Sequence, residues 1–198
     1  ASNILQVERE TFKNIQESTN QINFIIQNVL NSYKISDGKV LVSPKIINLQ
    51  DFCERQNKFL ASKIEFKNQK FTFECNLKNP RVFCDENCLN GIYINLVDNA
   101  IKYTDINGNI CVKIFGDDEN TFLSVCDNGQ GISKEKQRVL FNRFADIGSK
   151  TTGKEKSIGL GLFVINELCI LNNINIEYKE NTKAEHGSIF TLKFQKIG

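Results

Sequence analysis

The first part of the chain carries apolar residues at alternating steps of three and four. Residues 4–35 contain no Pro or Gly, and one stripe runs along them: Phe12, Ile15, Thr19, Ile22, Ile26, Val29 and Tyr33. This heptad spacing predicts one long α-helix, roughly 45 Å in length at about 1.5 Å per residue. The stripe packs either on the helix's own domain or on a partner helix. The length and regular spacing favour a partner helix.

The pattern changes near residue 40. The segment Ser36-Asp37-Gly38 favours a helix end, because Gly readily takes the left-handed conformation there, and Pro44 follows soon after. The sequence therefore predicts two domains, with the helix in residues 1–40 and a second domain in residues 41–198.

Helical and strand-like patterns are interspersed in the second domain. Helices are predicted at 49–63, 85–104, near 133–141 and near 160–171, and strands at 71–76, 81–84, 109–115, 121–126, near 174–179 and near 188–194. Residues 116–120 (GDDEN) have the composition of a hairpin turn. Because several strands are joined by hairpins, we predict an α/β fold, a two-layer sandwich with a mixed sheet and helices on one face.

Composition limits the possible partners. The chain has 198 residues, 40% of them hydrophobic and 24% charged, which suits one sizeable core. A net charge of +2 gives no reason to expect nucleic acid, and no apolar run is long enough to span a membrane. The absence of Met predicts a fragment, so a membrane anchor of the full protein can lie elsewhere, and we expect a cytoplasmic location for this part. The seven cysteines form no CxxC pair, which predicts reduced thiols.

Polar residues interrupt the apolar helix predicted at 85–104. On a helical wheel Asn95, Asp98, Asn99 and Lys102 share one stripe opposite the apolar arc. The stripe is either a solvated face or a set of ligands. Two Asn are weak helix formers, but their oxygens suit a hard cation such as Mg²⁺, and a nearby Lys suits a phosphate.

Two glycine-containing segments follow predicted strands or precede a helix. Asp127-Asn128-Gly129-Gln130-Gly131 places a carboxylate at a strand end, where it can accept from an exocyclic amine; the motif is also common in ordinary turns. Ser157-Ile158-Gly159-Leu160-Gly161-Leu162 opens a helix, where free N–H groups suit phosphates, although the segment taken alone favours a tight packing turn. The polar segment 142–156 between them is typical of a mobile lid.

Together and in this order, the segments resemble the ATP-binding domain of sensor histidine kinases, within the GHKL superfamily of gyrase, Hsp90, histidine kinases and MutL. NLVDNAIKYT (95–104) resembles the N box, DNGQGI (127–132) the first glycine box, FNRF (141–144) the F box and GLGL (159–162) the second glycine box. The resemblance covers about residues 46–196 and implies the Bergerat-type fold. Residues 4–40 resemble the second helix and linker of a dimerisation and phosphotransfer hairpin, which implies a homodimer.

The resemblance also implies roles for individual residues. By position, Asn99 coordinates Mg²⁺ with support from Asn95, while Lys102 contacts phosphate and Tyr103 lines the site. The other residues implied to bind ATP are Asp127 at the adenine amino group, Gly129 and Gly131 around it, Gly159, Leu160 and Gly161 at the phosphates, and Phe141, Phe144 and Lys150 in the lid.

The implied reaction is transfer of the ATP γ-phosphoryl group to a His and then to the receiver domain of a response regulator. Asn95 stands where hydrolases of the superfamily carry a Glu base, and an amide cannot take a proton from water.

Two features depart from the family pattern. Ser157 stands where the second glycine box usually opens with another Gly, and the phosphoacceptor His with its following Glu or Asp is absent. The single His, His186, is predicted to be a surface residue. The alternatives are a related Ser/Thr kinase and a non-catalytic nucleotide-sensing or dimerisation module.

Overall fold

The computed structural model describes residues 41–143, 145 and 160–197, within a unit that spans Leu41–Gly198. The predicted N-terminal helix, Phe144, Lys150, Ser157 and Gly159 lie outside the described residues. The domain boundary near residue 40 stays a prediction.

The described elements alternate along the chain as the α/β prediction required. In order they are β1 (Lys45–Asn48), α1 (Leu49–Phe66), β2 (Lys70–Cys75), β3 (Arg81–Cys84), α2 (Glu86–Tyr103), β4 (Asn109–Gly116), β5 (Asn120–Asp127), α3 (Lys134–Gln137), α4 (Gly161–Leu171), β6 (Asn175–Glu180) and β7 (Ser188–Gln195).

Five strands form a mixed sheet in the order β2-β4-β5-β7-β6. β2 and β4 are parallel, and the other neighbours are antiparallel. Strand residues on one face are buried under α1, α2 and α4, among them Ile110, Val112, Leu123, Val125 and Leu192. No described helix covers the other face. The predicted two-layer α/β sandwich with a mixed sheet is confirmed.

Three details differ from the prediction. β1 was not predicted, because its four residues between Pro44 and the start of α1 are too few to show a period. β3 pairs antiparallel with β1 in a separate two-stranded sheet instead of joining the main one. α3 is a single turn, and bends and turns follow it where a helix to residue 141 was expected.

Hydrogen bonds from neighbouring elements fix both ends of α2. At its start the Asp85 carboxylate accepts from Cys88 N at 2.9 Å and from Ser43 N at 2.8 Å. Burial acts to raise the pKa of Asp85, but these N–H donors outweigh it and lower the pKa. At its end Lys67 Nζ donates to Ile101 O at 2.7 Å, and Gln69 Nε2 donates to the same oxygen at 3.0 Å.

The interior of α2 is apolar, with Leu89, Ile92, Leu96 and Val97 no more than 1% exposed. These side chains pack α2 against the core of the domain. Within the described ranges, no helix combines the length and the apolar character that crossing a membrane requires.

Candidate functional site

Asn95 faces the core of the domain and not solvent. Its side chain is 7% exposed, and its Nδ2 donates to Gly91 O at 2.7 Å. Its Oδ1 is buried and has no hydrogen-bond partner among the residues that the structure describes. A Cβ atom at Gly161, the first residue of α4, would lie 3.7 Å from this oxygen. A buried, unsatisfied acceptor therefore lies beside the start of α4.

The other residues of the polar stripe are separated by their contacts. Asp98 forms an ion pair of 2.5 Å with Lys63, so its carboxylate faces α1. Asn99 is half-buried, and its amide makes no side-chain hydrogen bond with another described residue. Lys102 Nζ lies 5.6 Å from the centroid of the Tyr103 ring, and both side chains are half-buried. The stripe is thus not one continuous wall.

The end of α2 touches the loop that follows β5. A Cβ atom at Gly129 would lie 2.3 Å from Tyr103 O and 2.9 Å from its carbonyl carbon. Only Gly permits so close an approach without displacing the backbone. The structure therefore brings Tyr103, Gly129 and the neighbouring Asp127 together.

Asp127, the last residue of β5, is a buried carboxylate with 6% exposure. Its Oδ1 accepts from Gly129 N at 2.9 Å and from Ser188 N at 3.2 Å. Burial raises the pKa of Asp127 from 3.8 to about 6, while those N–H groups and the Ser188 hydroxyl act in the opposite direction. At neutral pH this carboxyl group is therefore mainly ionised, and it acts as a hydrogen-bond acceptor with a fixed orientation.

The connection before β7 supports this carboxylate from the other side. Asn181 Nδ2 donates to Asp127 O at 2.8 Å. Gly187 has a φ of +145°, and a Cβ atom there would lie 2.1 Å from the same carbonyl oxygen. Gly131, with a φ of +68°, packs against Gly187 O. Sequence reasoning missed Asn181, Gly187 and Ser188; the only signal was the Gly-Ser pair before the last strand.

His186 belongs to the same connection and is exposed, so its prediction as a surface residue is confirmed. The loop after Gly131 is held by Tyr178, whose hydroxyl accepts from Ile132 N at 3.1 Å. Phe141, in the turns beyond α3, is half-buried.

The start of α4 carries backbone donors that the side chain of its N-cap residue does not cap. Leu160, the N-cap residue, is 4% exposed and gives no side-chain hydrogen bond, and the first turn holds no acidic residue. The N–H groups of a first helical turn lack intrahelical acceptors, and the helix dipole adds partial positive charge there. This end of α4 suits an anionic group.

The amide oxygens of α2 fit a hard divalent cation. Asn95 Oδ1 is buried and unsatisfied, and Asn99 follows one turn later. The described residues include no cluster of three or more His, Cys, Asp or Glu. Mg²⁺ commonly takes only one or two protein ligands and completes its shell with phosphate and water, so this donor set is compatible with it.

Comparison with known proteins gives a consistent assignment. The family model described as "Histidine kinase-, DNA gyrase B-, and HSP90-like ATPase" matches residues 84–197. The chain is 25% identical over 96% of its length to the sensor protein KdpD of Clostridium acetobutylicum, and 29% identical over 80% to the adaptive-response sensory kinase SasA of Gloeothece citriformis. It spans 21% and 40% of those two proteins.

A solved catalytic domain of the histidine kinase ThkA superposes with a TM-score of 0.67 at 25% identity, covering 78% of this chain and 98% of that one. The match of the family model includes α2, the Asp127 loop and α4. The chain therefore belongs to the family of histidine kinase-, DNA gyrase B- and HSP90-like ATPases, and it carries an ATP-binding catalytic domain of the sensor histidine kinase type.

Proposed function

We propose that this domain binds Mg-ATP between α2, the Asp127 loop and the start of α4, and supplies the γ-phosphoryl group to a His of a protein segment outside this chain. Asp127 accepts from the adenine amino group, and Gly129 and Gly131 allow the ring to approach the backbone. The N–H groups at the start of α4, including that of Gly161, receive phosphate oxygens. Lys102 adds positive charge near them.

The buried carboxylate of Asp127 is the observation that carries this proposal. A desolvated acceptor costs free energy unless it is satisfied, and here two backbone N–H groups orient it from one side. A ligand amine supplies the further donor that such a group favours. The glycines around it keep the adjoining surface free of side chains.

Asn99 and Asn95 are the residues that would hold Mg²⁺, which neutralises phosphate charge when it is bound. Hydrolases of the superfamily that the sequence resembles carry a Glu base at the position of Asn95. Because an amide is not a base, we expect slow hydrolysis and a γ-phosphate retained for another acceptor.

The partners belong to the same proposal. The histidine kinase ThkA has been solved in complex with the response regulator protein TrrA. We propose a receiver domain of this kind as the final acceptor, and a homodimer formed through the segment that contains residues 4–35. A cytoplasmic site of action follows from such a partner.

Isothermal titration with ATP, in the presence of Mg²⁺ or of a chelator, tests the binding site. Asp127→Asn is expected to weaken ATP binding in both conditions by roughly 10- to 150-fold, since a hydrogen bond to a charged group contributes about 1.5–3 kcal/mol. Asn99→Ala is expected to lose only the part of the ATP affinity that depends on Mg²⁺, so its affinity should match that of the wild type in the presence of the chelator. Asn90→Ala, an exposed position of the same helix, is the matched control.

Phosphate release and labelling with γ-labelled ATP test the chemistry. We expect ATP binding without rapid hydrolysis and without strong acid-labile self-labelling. Absence of ATP binding, or equal behaviour of Asn99→Ala and Asn90→Ala, would contradict the site. Acid-stable phosphate on an added protein would instead favour the Ser/Thr kinase alternative.

A further inference from the structure

Two cysteines lie directly opposite each other on the face of the main sheet that no described helix covers. Cys111 of β4 pairs with Cys126 of β5 in the antiparallel register. Both are half-buried, whereas their neighbours Ile110, Val112 and Val125 point into the core. The two thiols therefore share an accessible face.

The strand register gives this pair a Cα separation in the range that disulfides use. Two bonds at the ends of the ladder define its pattern: Asn128 N donates to Asn109 O at 3.2 Å, and Asp117 N donates to Asn120 O at 3.1 Å. Opposed residues of β4 and β5 therefore alternate between hydrogen-bonded and non-hydrogen-bonded pairs, and the pair of Asn109 and Asn128 is hydrogen-bonded. Cys111 and Cys126 form such a pair, for which a Cα separation of about 5.5 Å is typical. Disulfides usually join Cα atoms about 4.4–6.8 Å apart.

Each thiol contacts a polar side chain on the same face of the sheet. Cys111 Sγ lies 4.0 Å from Glu74 Oε1, and Cys126 Sγ lies 3.9 Å from Ser124 Oγ. Glu74 and Ser124 flank Lys113 in the register of the three strands. Because Cys111 Sγ points toward β2 and Cys126 Sγ lies beside Ser124 of its own strand, the bond requires rotation about χ1 to turn the sulfur atoms toward each other, but no change of register.

The other five cysteines lack this combination. Four of them, Cys53, Cys84, Cys88 and Cys169, are buried. Cys75 is half-buried, but its strand neighbour is Ile114 and its thiol donates to Leu77 O at 3.4 Å. Facing register together with access to solvent is thus a property of Cys111 and Cys126 alone among the cysteines.

We propose that Cys111 and Cys126 form a dithiol modification site that a peroxide converts to an intrachain disulfide. The Cys111 sulfur attacks one peroxide oxygen, the O–O bond breaks, and one water leaves with the thiol proton. Cys126 then attacks the resulting sulfenic sulfur; the S–S bond forms, the S–O bond breaks, and a second water leaves. Two electrons pass from the sulfurs to the peroxide. Neither step depends on ATP binding.

Peptide mapping tests the proposal on the native wild-type chain. The protein is treated with dilute hydrogen peroxide, alkylated under denaturing conditions without reductant, and digested with trypsin. Cleavage after Lys102, Lys113 and Lys134 gives peptides 103–113 and 114–134, each with one cysteine. We expect these two peptides joined as the main oxidised product, on a chain that still migrates as a monomer.

Three variants and one denaturing condition make the result specific. Cys111→Ser and Cys126→Ser are each expected to abolish the joined peptide, whereas Cys75→Ser leaves it unchanged. Oxidation in urea is expected to scatter the pairing over all seven cysteines. Recovery of both peptides in the alkylated form, or pairing of either one with another cysteine or another molecule, would overturn the proposal.

Discussion

The Asp127 carboxylate is expected to destabilise the fold that positions it. Burial raises its pKa from 3.8 to about 6, so the folded state holds the proton more tightly than the unfolded state. Below pH 3.8 the side chain is protonated in both states, and its ionisation has no effect on stability. Between pH 3.8 and 6 the free energy of unfolding falls as pH rises, and above pH 6 the full penalty remains.

The size of this penalty follows from the pKa difference. At about 1.4 kcal/mol for each pH unit, ionised Asp127 lowers the free energy of unfolding by about 3 kcal/mol at neutral pH. Asp127→Asn cannot ionise, and its Oδ1 can accept the same bonds from Gly129 and Ser188. The variant is therefore expected to gain about 3 kcal/mol relative to the wild type between pH 4 and pH 7, while it loses ATP affinity.

Urea unfolding followed by far-ultraviolet circular dichroism, at intervals from pH 4 to pH 7, measures this difference for the chain without nucleotide. The comparison removes the effects of other titrating groups, because both proteins share them. Asp105→Asn, at an exposed position, is the control and should stay within about 0.5 kcal/mol of the wild type at each pH. A difference between Asp127→Asn and the wild type that does not change with pH would refute the reasoning.

Three further predictions concern the supports of the site. Gly129→Ala places a Cβ atom 2.3 Å from Tyr103 O, so urea unfolding should show a loss of about 1–3 kcal/mol, with weaker ATP binding in titration; unchanged affinity would contradict the close contact. Lys67→Met removes the cation from the carbonyl end of α2, and thermal unfolding should reveal a larger loss than for Lys58→Met on the exposed part of α1. Asp85→Ala removes the N-cap of α2 and should lower the free energy of unfolding by about 1–2 kcal/mol at neutral pH; since the pKa of Asp85 is lowered, the difference from the wild type should shrink as the pH falls through that pKa.

The local pattern of the sequence was sufficient for the elements and the fold class. The helices α1, α2 and α4 and six of the seven strands begin and end within a few residues of their predicted positions, because burial on one face imposes a period of 3.6 or 2. The glycines of the Asp127 loop were identifiable for a related reason. Gly is required where backbones approach closely, and two of them directly after a strand are visible in the sequence.

The contacts between distant segments were decided only by the tertiary structure. The helical wheel placed Asn95 and Asp98 on one stripe, yet α4 covers Asn95 while Lys63 binds Asp98. Ser188 and Asn181 reach Asp127 across more than fifty residues of sequence. The pairing of β1 with β3, and of Cys111 with Cys126, likewise depends on strand register. A helical wheel or a strand alternation shows which side of one element is apolar. Which neighbouring element covers a polar side chain depends on the packing of the whole domain. That packing buries the Asp127 carboxylate and the Asn95 amide of the site.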